Sequence, residues 1–233
     1  MLTDTSIIEE SVRIQGRTRS LEGLLTYPGG EAQCSVLVAG PHPFLGGDMG
    51  NNVVHELAKH LASRGAVTLT FNYGGVGTSE GGPNDWPAVM SAFWNDGTFA
   101  EEHDWSVDAG SAITALHEWS DAPTVLIGYS FGCWAVVDQI AAAKPNAVVL
   151  ISPNPKHHAF EALACCTAPL LLIHSDHDFT LDSSEMIAWF ESLREPKTRL
   201  QIASGEHFFR GHEGEVSDAV SRFLQHHDLL SNT

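Results

Sequence analysis

Apolar positions along the chain fall into two alternating regimes. Short runs that alternate with period two, or stay apolar throughout, occur at SVRIQ, LEGLLTY, CSVLVAG, AVTLTFNY, TVLIGY, NAVVLIS, PLLLIH and TRLQIAS, punctuated by Gly, Pro or Asp. Runs of this kind predict strands. Segments with three-to-four spacing lie between the later ones, at 52–64, 106–119, 131–143, 183–193 and 213–224, and predict helices. Strand and helix therefore alternate after residue 34. That order predicts an α/β fold: a mostly parallel central sheet with helices on both faces and the two earliest strands as an antiparallel edge.

Ligands of such sheets bind at the carboxyl ends of the strands, so chemistry is sought in the loops that follow them. No repeat, low-complexity tract or linker divides the chain, and its 233 residues, 43% hydrophobic, suit one sizeable core. A single domain over 1–233 is expected.

Charge narrows the partners. With 12 Lys and Arg against 29 Asp and Glu, the net charge of −17 opposes phosphate backbones and anionic membrane surfaces, and the basic residues form no patch. The opening MLTDTSIIEE lacks the basic start and apolar stretch of a secretory signal, and no apolar run is long enough to span a bilayer. No nucleic-acid or membrane partner is expected, and the expected location is the cytoplasm. Cys34, Cys133, Cys165 and Cys166 show no zinc-ribbon spacing and are read as reduced, mostly buried side chains.

The candidate chemistry begins at Gly128, Tyr129, Ser130, Phe131 and Gly132, a G-x-S-x-G between a predicted strand and a predicted helix. A tight turn there would strain the Ser130 backbone, with glycines on either side allowing close packing of helix and strand, and would lift the hydroxyl above the sheet edge. It would also leave the Phe131 amide at a helix N-terminus, where the donor and the helix dipole can stabilise an oxyanion. A plain serine N-cap is the alternative. A serine hydroxyl needs a base and an acid that orients the base. Past PLLLIH comes SDHDFTLD, and past the last strand comes SGEHFFRGH. His207 is assigned as the base over His212, which opens the final helix. Asp178, in a loop long enough to reach back, is favoured as the acid over Asp176, which suits a turn.

The order Ser130, Asp178, His207 on alternating strands and helices resembles the α/β-hydrolase superfamily. The stretch GPHPFLGGDMGNNVVHELAKHLASRGAVTLTFNYGGVGTSEG is similar to small bacterial hydrolases related to dienelactone hydrolases, with their H-P-H-P-x-x-G-G and N-x-R-G-x-G-x-S-x-G segments. This resemblance implies that the loop after the third strand supplies a second oxyanion donor. Pro41 and Pro43 have no N–H to give, so Phe44 is the expected donor, with Leu45 next. His42 is read as touching substrate or as shaping that loop. Two departures stand out. Gly74 occupies the place of the arginine, so the ion pair of that pattern is absent and the loop is expected to be held differently. Ser130 stands where dienelactone hydrolases proper carry Cys, so their chemistry is not carried over.

Many relatives insert a lid between positions 153 and 170; here that segment is short, so no large lid domain is expected. The stretch 85–105 is the candidate small cap, rich in aromatics: Trp86, Phe93, Trp94, Phe99 and Trp105. These rings either pack the insertion onto the sheet or wall a substrate. Trp86, Phe93 and Trp94, with His42 and Tyr129, are the candidate substrate contacts. HSDHD offers possible metal ligands, but His174 ends a strand while Asp176, His177 and Asp178 occupy a loop, so no metal is expected. YGGVGTSEGG lacks dinucleotide spacing, and no cofactor is expected. The expected function is a serine hydrolase of a small-molecule carboxylic ester or thioester, working through an acyl-enzyme. An acyltransferase or cyclase with the same three residues, or a non-catalytic binding module on the fold, are the alternatives.

Overall fold

Strands that are apolar at every position need cover on both faces, and the computed structural model provides it. It describes residues 6–82, 86–96, 99 and 101–231, without the side chains at positions 86, 92, 93, 96, 204 and 205. The strands are β1 (Ile7–Gln15), β2 (Ser20–Pro28), β3 (Cys34–Ala39), β4 (Ala66–Phe71), β5 (Thr124–Tyr129), β6 (Ala147–Ile151), β7 (Leu170–His177) and β8 (Lys197–Glu206). They form one sheet in the order β1-β2-β4-β3-β5-β6-β7-β8. β1 pairs antiparallel with β2, and β2 with β4; every later pairing is parallel.

The helices are α1 (Asn52–Ser63), α2 (Trp86–Asp96), α3 (Glu102–Trp119), α4 (Phe131–Val137), α5 (Ile140–Ala143), α6 (Ser183–Ser192) and α7 (Glu213–His226). Alternate strand residues feed two cores. Leu37, Leu126, Leu150 and Leu172 pack with Leu116 of α3, Val136 of α4 and Phe190 of α6. Val36, Val38, Val125, Ile127 and Val149 pack on the other face with Leu57 and Leu61 of α1 and Val220 and Leu224 of α7. The period of two thus sends neighbouring residues into different cores.

Three departures from the sequence pattern have local causes. α3 starts four residues before the predicted position 106. The helix expected over 131–143 is split into α4 and α5, with Ser106 and the Gln139 amide both donating to the Asp138 carboxylate at the break. Buried Ile140 continues the apolar spacing across it, which hides the break in the sequence. α2 was not predicted, because WPAVMSAFWND is apolar on too many sides to show a stripe. Its Val89 and Met90 pack against the first core.

Between β6 and β7 lies only a 3-10 turn, Glu161–Cys165, and no lid domain occurs among the described residues. No helix among them is long and apolar enough to cross a membrane. All four cysteines are free; Cys34 and Cys133 are buried, whereas Cys165 is exposed and Cys166 half-buried.

Candidate active site

β5 ends in the G-x-S-x-G turn, and the glycines there are dictated by space. A Cβ on Gly132 would stand 2.1 Å from the Ala39 carbonyl oxygen of β3, and one on Gly128 would stand 2.4 Å from Cys133 Cα. No side chain fits either gap. The chain can therefore reverse from strand to helix within one residue, and that residue, Ser130, takes φ 55° and ψ −117°. Its amide donates to Ile151 O at 2.8 Å, which fixes the turn against β6. Beneath it the Cys133 sulfur lies 3.1 Å from Gly128 O and 3.2 Å from Ile151 O, which share its one proton, and burial pushes that thiol's pKa upward. Cys133 is a packing residue here.

The loops after β7 and β8 bring two more groups to this turn. His207 Nε2 lies 3.0 Å from Ser130 Oγ, and His207 Nδ1 lies 2.9 and 3.0 Å from the two Asp178 carboxylate oxygens. A carboxylate accepts, so Nδ1 carries the proton, and Nε2 is left to accept from the Ser130 hydroxyl. The Asp178 carboxyl is buried, which would raise its pKa, but His207 and the Thr180 amide and hydroxyl outweigh burial and hold it below the ordinary range. Asp178 is thus both ionised and fixed. His212 instead faces Glu215 at 3.3 Å, and Asp176 lies 3.9 Å from His177.

Tyr129 was expected to face substrate, and this is corrected. It is 1% exposed, and its hydroxyl donates to the His207 carbonyl at 2.8 Å, so it anchors the backbone of His207. Of the two readings of His42, the loop-shaping one is met and the substrate contact is corrected. His42 is 7% exposed, caged by Phe44, Phe99, Trp105 and Phe131 at centroid distances of 4.7 to 5.9 Å. Its Nδ1 accepts from the Phe44 amide at 3.2 Å. The donor expected to stand open for an oxyanion is therefore directed at the His42 ring in this structure. The Leu45 amide donates to His42 O at 3.0 Å, closing the 3-10 turn that the two prolines favour. The Phe131 amide, by contrast, has no acceptor among the described residues.

Of the aromatic insertion, Phe99 and Trp105 are buried in this cage and Trp94 is 76% exposed. Asp85 and the side chains of Trp86 and Phe93 lie outside the described residues. Sequence reasoning passed over Glu102, which enters the cage from α3. Its two carboxylate oxygens lie 3.4 Å from His42 Nε2 and 3.3 Å from His158 Nε2. Burial raises the Glu102 pKa, but the two histidines outweigh it and bring it to about 2, from 4.5. A carboxyl whose folded pKa is depressed stabilises the fold above its unfolded pKa and loses that contribution as pH falls through the folded value. Glu102 should therefore stabilise the fold at neutral pH and lose that contribution between about pH 4.5 and 2. Glu102→Gln is expected to be less stable than the unaltered protein at pH 7, with the gap in urea midpoint closing as the pH is lowered through this window. A constant gap would exclude the linkage.

The loop carrying N-x-G-G-x-G-x-S is held from an unforeseen direction. Arg19, in the turn between β1 and β2, makes two 2.8 Å bonds to Asp108 of α3, and Asp108 accepts from the Gly74 amide at 2.8 Å. A Cβ at position 74 would lie 2.2 Å from Arg19 Cζ. The Arg19 guanidinium thus fills the space beside Gly74 and holds the carboxylate that binds this loop. A cavity of about 460 Å³ lies between the β6–β7 connection and α6, with His158, Phe160, Trp189 and Arg194 in its wall.

The His-rich stretch forms the end of β7, so Asp176 and His177, expected in a loop, are still in the strand, and its side chains diverge. His174 Nδ1 meets Ser175 O and its Nε2 meets Arg199, while Asp178 serves His207. Among the described residues no group of three His, Cys, Asp or Glu side chains is placed to hold a metal ion.

No family model matches the chain. An uncharacterized protein of Rickettsia prowazekii is 28% identical over 200 residues, covering 81% of this chain and 77% of that one. Among solved structures, an α/β serine hydrolase homologue from Coxiella burnetii is 26% identical, with a TM-score of 0.78 over 96% of this chain and 99% of its own. A lidless α/β serine hydrolase from Xanthomonas campestris has the same fold at 22% identity, with a TM-score of 0.80 over 97% and 96%. The chain belongs to the α/β-hydrolase superfamily. In this α/β-hydrolase the eight-stranded, mostly parallel sheet with its antiparallel edge and surrounding helices, with no lid domain among the described residues, has the fold of these neighbours.

Proposed function

We propose that the protein is a serine hydrolase that cleaves a small-molecule carboxylic ester or thioester through an acyl-enzyme. The observation that carries this reading is the hydrogen-bonded series from Ser130 Oγ through His207 to Asp178, at 3.0 and 2.9 Å, anchored on a residue with φ 55°. A helix cap needs neither a base nor that backbone.

The mechanism follows from the proton positions. His207 Nε2 takes the Ser130 proton as Oγ bonds to the substrate carbonyl carbon, and Asp178 stabilises the imidazolium that results. The Phe131 amide is the primary oxyanion donor. Phe44 joins it once its N–H turns from the His42 ring. The leaving oxygen or sulfur departs with the bonding electron pair and takes the proton from Nε2. Water then repeats the sequence on the acyl group, releasing the acid and restoring Ser130.

Intact-mass analysis after treatment with a fluorophosphonate tests this reading. One adduct is expected on the unaltered protein, and none on Ser130→Ala or His207→Ala. Absence of an adduct on the folded, unaltered protein overturns it.

A further inference from the structure

Two water-facing rings stand against the His207 imidazole with no packing role to explain them. Phe179 follows Asp178 in the loop after β7 and is 71% exposed; Phe208 follows His207 and is 38% exposed. Their centroids lie 5.0 and 5.7 Å from the His207 ring and 5.7 Å from each other. Arg210 covers Phe208 at 4.7 Å, and its charge is matched by Glu206 at 3.1 Å, so the cation is already paired. Adjacent exposed aromatics beside reactive groups are a surface on which an apolar group gains by leaving water.

Direction follows from the chemistry. In the collapse of the tetrahedral intermediate, the bond from the carbonyl carbon to the leaving atom breaks, and that atom keeps the electron pair and takes the proton held on His207 Nε2. It must then lie within hydrogen-bond reach of Nε2. The two rings stand 5.0 and 5.7 Å from the imidazole that the leaving atom must reach, and in the reading above the carbonyl oxygen is taken up by the Phe131 amide, away from that atom. We propose that Phe179 and Phe208 form a platform for the leaving group, and that the alcohol or thiol released carries an uncharged aromatic or bulky aliphatic group next to the reacting bond. This rests on the serine-hydrolase reading above and adds the substrate class.

The test compares benzyl with methyl esters of acetate, butyrate and benzoate, two leaving alcohols of similar acidity. The unaltered protein is expected to prefer benzyl in kcat/KM. Phe179→Ala and Phe208→Ala should each lower the benzyl-to-methyl ratio by roughly 3- to 10-fold, the worth of one aromatic contact. Phe179→Leu should recover part of it. The loss should lie in acylation: the deacylation rate, read by single turnover from the common acyl-enzyme, should not depend on which alcohol has left. An acyl-enzyme on Ser130 with no benzyl preference, or with a ratio unmoved by either substitution, overturns the platform alone. If no ester acylates Ser130 by intact mass, the serine-hydrolase reading fails and the platform fails with it.

Discussion

Ser130→Ala is expected to abolish ester turnover, by about 10⁵- to 10⁶-fold in kcat, while the protein stays folded. The rate effect is large because the three groups act as a unit: without Oγ there is no atom to acylate, and His207 has no proton to take. The fold should survive because alanine keeps the shape of the turn. The Ser130 amide still reaches Ile151 O, and Gly128 and Gly132 still allow the close approach to Cys133 and Ala39. Alanine also keeps the backbone strain, since a Cβ at φ 55° and ψ −117° is disfavoured whichever atom it carries. Ser130→Gly relieves it. Both variants lose the bond to His207, so their difference isolates the backbone. Glycine should be more stable than alanine by about 1 kcal/mol, after its larger unfolded-state entropy is set against a strain of roughly 1–3 kcal/mol. For a chain of this size that is a rise of about 2–4 °C in Tm. Equal melting temperatures would remove strain from the account of the turn. Turnover by Ser130→Ala within tenfold of the unaltered protein would remove Ser130 from the chemistry.

What could be read from the sequence was what chain order alone determines. Fully apolar runs such as TVLIGY lie in a sheet covered on both faces, so the parallel sheet followed from pattern. Ser130, Asp178 and His207 each lie just past the carboxyl end of a strand, β5, β7 and β8, of one parallel sheet, so strand order alone sets them along the same edge. The direction of the Phe44 amide, and which of its two roles His42 takes, were not legible, for the opposite reason. Which way an amide points in GPHPFLGG depends on the His42 ring, and that ring's position depends on Phe99, Trp105 and Glu102, which approach from a distant segment. Tyr129 failed because period two gives the face a residue occupies but not the partner its hydroxyl finds, here the His207 carbonyl. Phe179 and Phe208 were legible in principle. Each directly follows an assigned residue, and an aromatic next to both acid and base is a signal that position alone supplies.

Arg19→Ala is expected to cost about 3–5 kcal/mol, a large share of the 5–15 kcal/mol that holds a typical domain. The cost comes from what is left behind. Asp108 has 3% of its side chain exposed, and burial already raises its pKa against the opposing pull of Arg19 and the Gly74 amide. Without the guanidinium the carboxylate is buried with one amide for company, and it must ionise at a penalty or take up a proton. The urea midpoint should fall accordingly. Arg19→Ala with Asp108→Ala should be less damaged than the sum of the two, because the second change removes the stranded charge. The decisive variant is at position 74. With Arg19 present, Gly74→Arg should destabilise, since its Cβ meets Arg19 Cζ at 2.2 Å. With Arg19 replaced by alanine that space is vacant, and an arginine entering from position 74, where the related N-x-R-G-x-G-x-S-x-G pattern carries one, is next to the same carboxylate. Gly74→Arg should then restore most of the lost stability. A substitution that is harmful in one background and restorative in the other is the signature of two positions competing to supply a single guanidinium; harm in both would mean that the backbone at Gly74, and not the charge beside it, is what the glycine serves.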